Sequence, residues 1–240
     1  MRACVPALRG TLAAGTLYQQ LVETVDRNTD PVELAVLVSC LSRCTASLHK
    51  DKHAALTSVV LRRCFRADDA LAAATEAFAV NCVSVNADLL TSVLQELVKH
   101  YAAFDLLAAD PPETARERAS QSELSREDIE RQVRNARDVH RAVQRVLETF
   151  PTGTMCFFDQ LVQAYPHRVR RIEEQRAYLA NILHVTGYQP QLLNDVLEHI
   201  TERLIKIDVE VDPHKLDALN SGAIDVAEDG EHFEIEMEEV

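Results

Sequence analysis

Two apolar stripes at helical spacing, separated by only four residues, occupy positions 173–209 and constrain the fold more than any other part of the chain. In the first half Tyr178, Leu179, Ile182, Leu183 and Thr186 fall on one face of a helix. In the second half Leu192, Leu193, Val196, Leu197, Ile200, Leu204 and Ile205 do the same. Between them stands Gly187-Tyr188-Gln189-Pro190, where glycine suits a left-handed residue closing one helix and proline suits the first turn of the next. A turn this short makes the two helices antiparallel neighbours. Each stripe is too wide for its partner alone to cover, so the pair is expected to stack on further pairs, as in an α-solenoid.

The residues upstream repeat the pattern. Leu17, Leu21, Val22 and Val25 share one side of a helix over 12–25. Asp30-Pro31-Val32-Glu33 then offers an N-cap, a proline at the first helical position and an acid at the third. That helix is expected over 31–48 with Leu34, Leu37, Val38 and Leu41 inward, followed by one over 53–65 with Leu56, Val59, Val60 and Cys64. An alanine-rich helix over 68–83 and a leucine-rich one over 86–105 make the next pair. Pro111-Pro112 stops regular structure, and 110–126 reads as a polar connector within the domain. A long helix over 126–149 buries Val133, Ala136, Val139, His140, Val143 and Leu147, and a shorter one over 154–164 buries Phe157, Phe158, Leu161 and Val162. Only 6 glycines and 8 prolines in 240 residues, with 47% hydrophobic content, agree with long helices around a sizeable core. The expectation is an all-α chain of about nine helices, paired every 35–45 residues or so as in HEAT-type repeats, covering 1–209.

Charge divides the chain differently. From Asp208 onward twelve acids face one lysine, so residues 1–207 keep 26 acids and 24 bases. The net charge of −13 therefore belongs to the tail, and 210–240 is expected to be an acidic, disordered segment. A near-neutral body argues against direct sequence-specific nucleic-acid binding, which needs a basic face. No apolar run is long enough to span a bilayer. The six cysteines lack a disulfide spacing and point to a reducing compartment. Residues 1–22, without acids and carrying Arg2 and Arg9, bear only a faint likeness to a mitochondrial presequence.

Catalysis finds no foothold. Cys40, Cys44, His49 and His53 invite a zinc reading, but both pairs lie on consecutive turns with too little loop to close a tetrahedron, and buried cysteines are the better account. Asp68-Asp69 lacks the further Asp of a magnesium motif and is better explained as negative charge at a helix start. No phosphate loop or nucleophile elbow is present, so neither enzyme activity, metal nor cofactor is expected. The candidate contact residues are basic: Arg168, Arg170 and Arg171 in the one dense cluster, and Arg126 and Arg134 on the long helix. Ser120, Ser122 and Ser125 stand in the connector, each followed by acid, where a kinase can reach them. Ser125 also reads as the N-cap of the long helix.

The stretch 150–209 carries a resemblance as well. Tyr165-Pro166-His167-Arg168, then Tyr178-Leu179-Ala180-Asn181-Ile182-Leu183-His184-Val185, Tyr188-Gln189-Pro190 and Ile200-Thr201-Glu202-Arg203-Leu204-Ile205-Lys206-Ile207-Asp208-Val209 precede an acidic tract. This pattern resembles the RNA polymerase I-specific transcription initiation factor family, also called the TIF-IA family, within its HEAT-repeat domain. The resemblance implies a protein that binds RNA polymerase I subunits and recruits the enzyme to promoter-bound initiation factors at ribosomal RNA genes, in the nucleus and nucleolus. It also implies control by serine phosphorylation. Without it, the residues fit a generic HEAT-repeat adaptor in transport or phosphatase assemblies equally well. Family members continue past the acidic tract with further repeats, whereas this chain ends in it at Val240. A last helix lacking its neighbour would expose Leu197 and Leu204, so self-association as a homodimer is an expectation.

Overall fold

A computed structural model describes residues 12–66, 68–106, 125–167 and 170–210. Two compact units divide within the last helix, Met1–His199 and Ile200–Val240. Among the described residues there are nine α-helices and no strand. They are α1 Leu12–Arg27, α2 Pro31–Ser42, α3 Lys50–Arg63, α4 Asp69–Val85, α5 Leu90–Val98, α6 Arg126–Thr149, α7 Thr154–Gln163, α8 Ile172–Tyr188 and α9 Leu193–Glu210.

In the first unit, helices pack chiefly on the helix two places along. α1, α3, α5 and α7 form one row, and α2, α4, α6 and α8 form the other. The core lies between the rows, where Leu34, Leu56, Leu71, Phe78, Leu94, Val139, Val143 and Phe157 are fully or almost fully buried. This two-layer stack of helix pairs is the helical-repeat architecture the stripes predict. Alanines make the closest approach: Ala72, Ala74 and Ala79 are buried on α4, which packs extensively on α2.

Caps set the helix starts. The Asp30 carboxylate accepts from Val32 N at 2.9 Å with Pro31 in the first turn, Asp68 accepts from Leu71 N at 2.8 Å, and Ser125 Oγ from Asp128 N at 3.1 Å. Asp30→Ala should therefore lower stability by about 1 kcal/mol, read as a shifted urea midpoint with an unchanged slope. An unmoved midpoint would assign α2 entirely to packing.

Several boundaries differ from the sequence expectation, two of them where a side chain distant in sequence intervenes. α2 ends at Ser42 and gives way to a 3-10 turn, Thr45–Ser47, instead of running to residue 48. Asn81 of α4 donates to both the Ser42 carbonyl and its hydroxyl, at 3.3 and 2.8 Å. α3 starts at Lys50 because the His53 imidazole reaches back to accept the His49 N–H at 2.9 Å. Gly187 does not close its helix in a left-handed conformation. α8 continues to Tyr188, whose hydroxyl is held in the interior, and Gln189 is the cap. The helix expected over 86–105 is a composite, with 3-10 turns Ala87–Leu89 and Lys99–Ala102 flanking α5. The apolar stripes of α8 and α9 are also wider than their burial: Leu183, Leu193 and Leu197 are half exposed, while Ile182 and Val196 are buried.

Candidate partner-binding surface

Backbone carbonyls at helix ends need partners, and in this chain buried side chains from other helices supply several of them. His100 Nε2–H, at the end of α5, donates to the Leu61 carbonyl of α3 at 2.8 Å, its ring stacked on Phe104 and edged by Phe65. Tyr178 of α8 donates to the Leu161 carbonyl of α7. Such ties fix one helix against another, because burying either group without its partner would cost about 1–3 kcal/mol.

The largest tie joins α6, α8 and the turn after α5. Asn181, fully buried on α8, donates its amide to the carbonyls of Tyr101, Phe104 and Ala177 at 2.9, 2.7 and 2.8 Å. That orientation leaves its oxygen to accept from His140 Nε2–H of α6 at 2.9 Å. Nε2 therefore carries a proton, and with burial keeping the ring neutral its Nδ1 accepts a hydroxyl, with Tyr188 at 3.0 Å and Tyr101 at 3.3 Å. The two phenols lie 3.2 Å apart, so one donates to Nδ1 and the other to its neighbour. Burial holds the His140 pKa down to about 4 against the Asn181 hydrogen bond, which favours the protonated form, with the nearby His184 ring lowering it further. Burial also raises both phenols well above their ordinary value. Arg176 of α8 closes the tie on Asp105 at 2.5 Å.

This joint holds α6 with one face outward. Arg131, Arg134, Arg137, Arg141 and Arg145 recur at intervals of three and four and are all exposed, forming a stripe about 21 Å long at 1.5 Å per residue. Most of the stripe is already paired. Arg131 is held by Asp128, Arg141 by Glu76 of α4 at 2.7 Å and Asp138 at 2.9 Å, and Arg145 by Glu76 at 3.5 Å and Glu148 at 3.2 Å. Among the described residues Arg134 and Arg137 form no ion pair. Arg134 lies within electrostatic reach of Asp138 and Arg137 of His184, so the centre of the stripe is more loosely held than its flanks.

The sequence-derived contact residues divide accordingly. Arg134 lies in the open centre of the stripe, and Arg126 pairs with Glu130 at 3.1 Å at the start of the same helix. Arg170 and Arg171 are exposed in the turn before α8, and Arg168 lies outside the described residues. Ser125 caps α6, its hydroxyl also donating to Asp128 Oδ2 at 2.8 Å; Ser120 and Ser122 lie outside the described residues, as do most of the connector and the acidic tract beyond Glu210. Cys40, Cys44, His49 and His53 do not converge: among the described residues no group of three or more His, Cys, Asp or Glu side chains could hold a metal ion. His53 is instead buried against the Tyr18 ring with its Nδ1 occupied by the His49 N–H. Among the described residues no helix is long and apolar enough to cross a membrane. Sequence reasoning missed Arg137, Asn181 and the His140 cluster. The regular spacing of arginines along 131–145 was the available signal for the first.

Helical stacks of this kind host many partners, so membership must come from sequence. The profile of the family RNA polymerase I specific transcription initiation factor RRN3 matches residues 7–239. The chain belongs to that family. Among curated proteins, the RNA polymerase I-specific transcription initiation factor rrn3 of Schizosaccharomyces pombe is 29% identical over 72 residues, covering 30% of this chain and 12% of that protein. The RNA polymerase I-specific transcription initiation factor RRN3 of Mus musculus is 34% identical over 73 residues, covering 30% of this chain and 11% of its own length. The matched stretch is thus a small part of either relative, while the RRN3 family profile spans nearly the whole chain. No solved structure matches it.

Proposed function

We propose that this chain works as an RNA polymerase I initiation factor that binds the polymerase and recruits it to promoter-bound factors at ribosomal RNA genes, in the nucleus and nucleolus. The observation that carries the reading is the family match over residues 7–239. A stack of helix pairs offers a preorganised surface, and binding two partners at once raises the local concentration of one at the other. No chemistry on substrate is required of it, and no cofactor enters the reading. Within this reading Arg126, Arg134, Arg168, Arg170 and Arg171 are contact residues for acidic partner surfaces. Phosphorylation of Ser120, Ser122 or Ser125 would add about 1.5–2 negative charges each near the start of α6 and weaken such contacts.

Affinity capture of the tagged full chain from nuclear extract, at low and moderate salt, tests it. Recovery of RNA polymerase I subunits in excess over those of polymerases II and III is the expected result. Transport receptors or phosphatase subunits in their place would leave the fold standing and make the chain a general adaptor.

A further inference from the structure

Glu76 of α4 grips Arg141 and Arg145 of α6, so the two helices run side by side. Asp69 stands seven residues before Glu76, as Asp138 does before Arg145, which brings the first turn of α4 level with residues 135–138 of α6. That part of α6 buries two polar side chains one turn apart, Asn135 and Asp138, 6% and 5% exposed. Asp138 gives its Oδ1 to Arg141 at 2.9 Å, whereas its Oδ2 is buried without a hydrogen-bond partner. Asn135 Oδ1 is buried without one as well. Buried acceptors are rarely left so, and two on one helix face call for something that serves both. Burial raises the Asp138 pKa, the exposed Asp69 adds to the rise, and Arg141 and Arg134 only partly offset it. Negative charge is therefore under-compensated where α6 meets the start of α4.

We propose that Asp138 Oδ2, Asn135 Oδ1 and the Asp69 carboxylate form a site for a hard divalent cation, Ca2+ or Mg2+, which clamps α6 to the start of α4. All three donors are oxygens, the ligand type that Ca2+ and Mg2+ take and that zinc and copper rank below nitrogen and sulfur. The set differs from a group of three His, Cys, Asp or Glu side chains, of which the described residues hold none: its third oxygen is an amide. Asp69 stands at the exposed rim, where water completes the coordination shell. Both α6 oxygens are closed to solvent, so a compact ion suits them better than the broad guanidinium of a partner protein. The neighbouring positive charges leave room for it. Arg141 occupies only Oδ1 and is shared with Glu76, and the positive end of α4 is already covered by Asp68, which accepts from Leu71 N at 2.8 Å.

The probe is the ion itself. The full chain, first stripped with chelator, is titrated with CaCl2 and with MgCl2 at constant ionic strength, and the melting temperature is followed by circular dichroism. The expected result is a saturable rise with at least one of the two ions, at a dissociation constant of about 0.1–1 mM for so few carboxylates. Asp69→Asn changes an exposed side chain, so it should leave the ion-free melting temperature in place and weaken binding about tenfold. Asn135→Asp adds a third carboxylate: it should melt lower than the parent without the ion, and bind the ion about tenfold more tightly. No saturable rise with either ion would overturn the proposal, leaving a water or a turned Asn135 amide to serve the two oxygens. A rise of equal affinity in the parent and both variants would overturn it too, because it would place the ion on the acidic stretch beyond residue 207.

Discussion

Replacing Asn181 with leucine is expected to cost about 3–6 kcal/mol of folding stability, the largest effect of any single substitution considered for this chain. Leucine keeps the branching at Cγ and the helix, so most of the loss comes from hydrogen bonds, with its larger methyl groups adding some overpacking at this buried position. Three groups lose their partner together: the Tyr101 and Phe104 carbonyls and the His140 Nε2–H. The Ala177 carbonyl lies within α8 and matters less. At about 1–2 kcal/mol for each of these orphaned groups, the lower part of the usual range, the total is a large share of the 5–15 kcal/mol or so that holds a domain folded. Urea unfolding followed by circular dichroism measures it. A loss below about 1 kcal/mol would mean that the joint between α6 and α8 rests on apolar packing, and that its polar members are incidental.

Acid should weaken the same joint. The His140 pKa is depressed to about 4 in the folded chain against an ordinary value of 6.5, so the unfolded state takes up a proton first as pH falls. The stabilisation is fully present above 6.5, declines from there, and is lost by about pH 4, with a ceiling of about 3 kcal/mol. The groups facing the ring are Tyr101, Tyr188, His184 and Asn181, none of them an acid that could stabilise imidazolium. His53 and His100, whose pKa values burial lowers, and His184, lowered by burial and by Arg137, act in the same direction. Asp138 acts oppositely: its pKa is raised by burial, so its penalty holds above the ordinary carboxylate range and is relieved as pH falls through that range. Urea midpoints from pH 7.5 to 4.5 should therefore be level at the top and fall below about 6.5, the fall being shallower in His140→Gln. A level profile down to pH 5 in the parent chain would contradict the neutral, buried imidazole.

The helices themselves were largely legible. α6 is found at the span its stripe and its Ser125 cap predict, because both signals are local: a hydroxyl three residues before an amide and apolar side chains recurring with the helical turn. Asp30 and Asp68 announce α2 and α4 in the same way. The helix ends were less legible. Ser42, His49 and Tyr188 mark boundaries through Asn81, His53 and His140, and neither the Asn81 nor the His140 contact is visible in local spacing. The contact surface divides similarly. Five arginines on one face of α6 can be counted from the sequence, yet which of them are open depends on Glu76, more than fifty positions upstream.

By itself, then, the sequence determined the all-helical class, the pairing of helices and the family, because backbone periodicity, caps and family pattern are written in consecutive residues. Only the tertiary structure decided that His140 is neutral, that Asn181 ties three backbone segments together, and that Glu76 takes up Arg141 and Arg145 while Arg134 and Arg137 form no salt bridge among the described residues. Those properties depend on which distant groups share a low-dielectric interior or a common surface, and burial and pairing are set by the packing of helices two places apart.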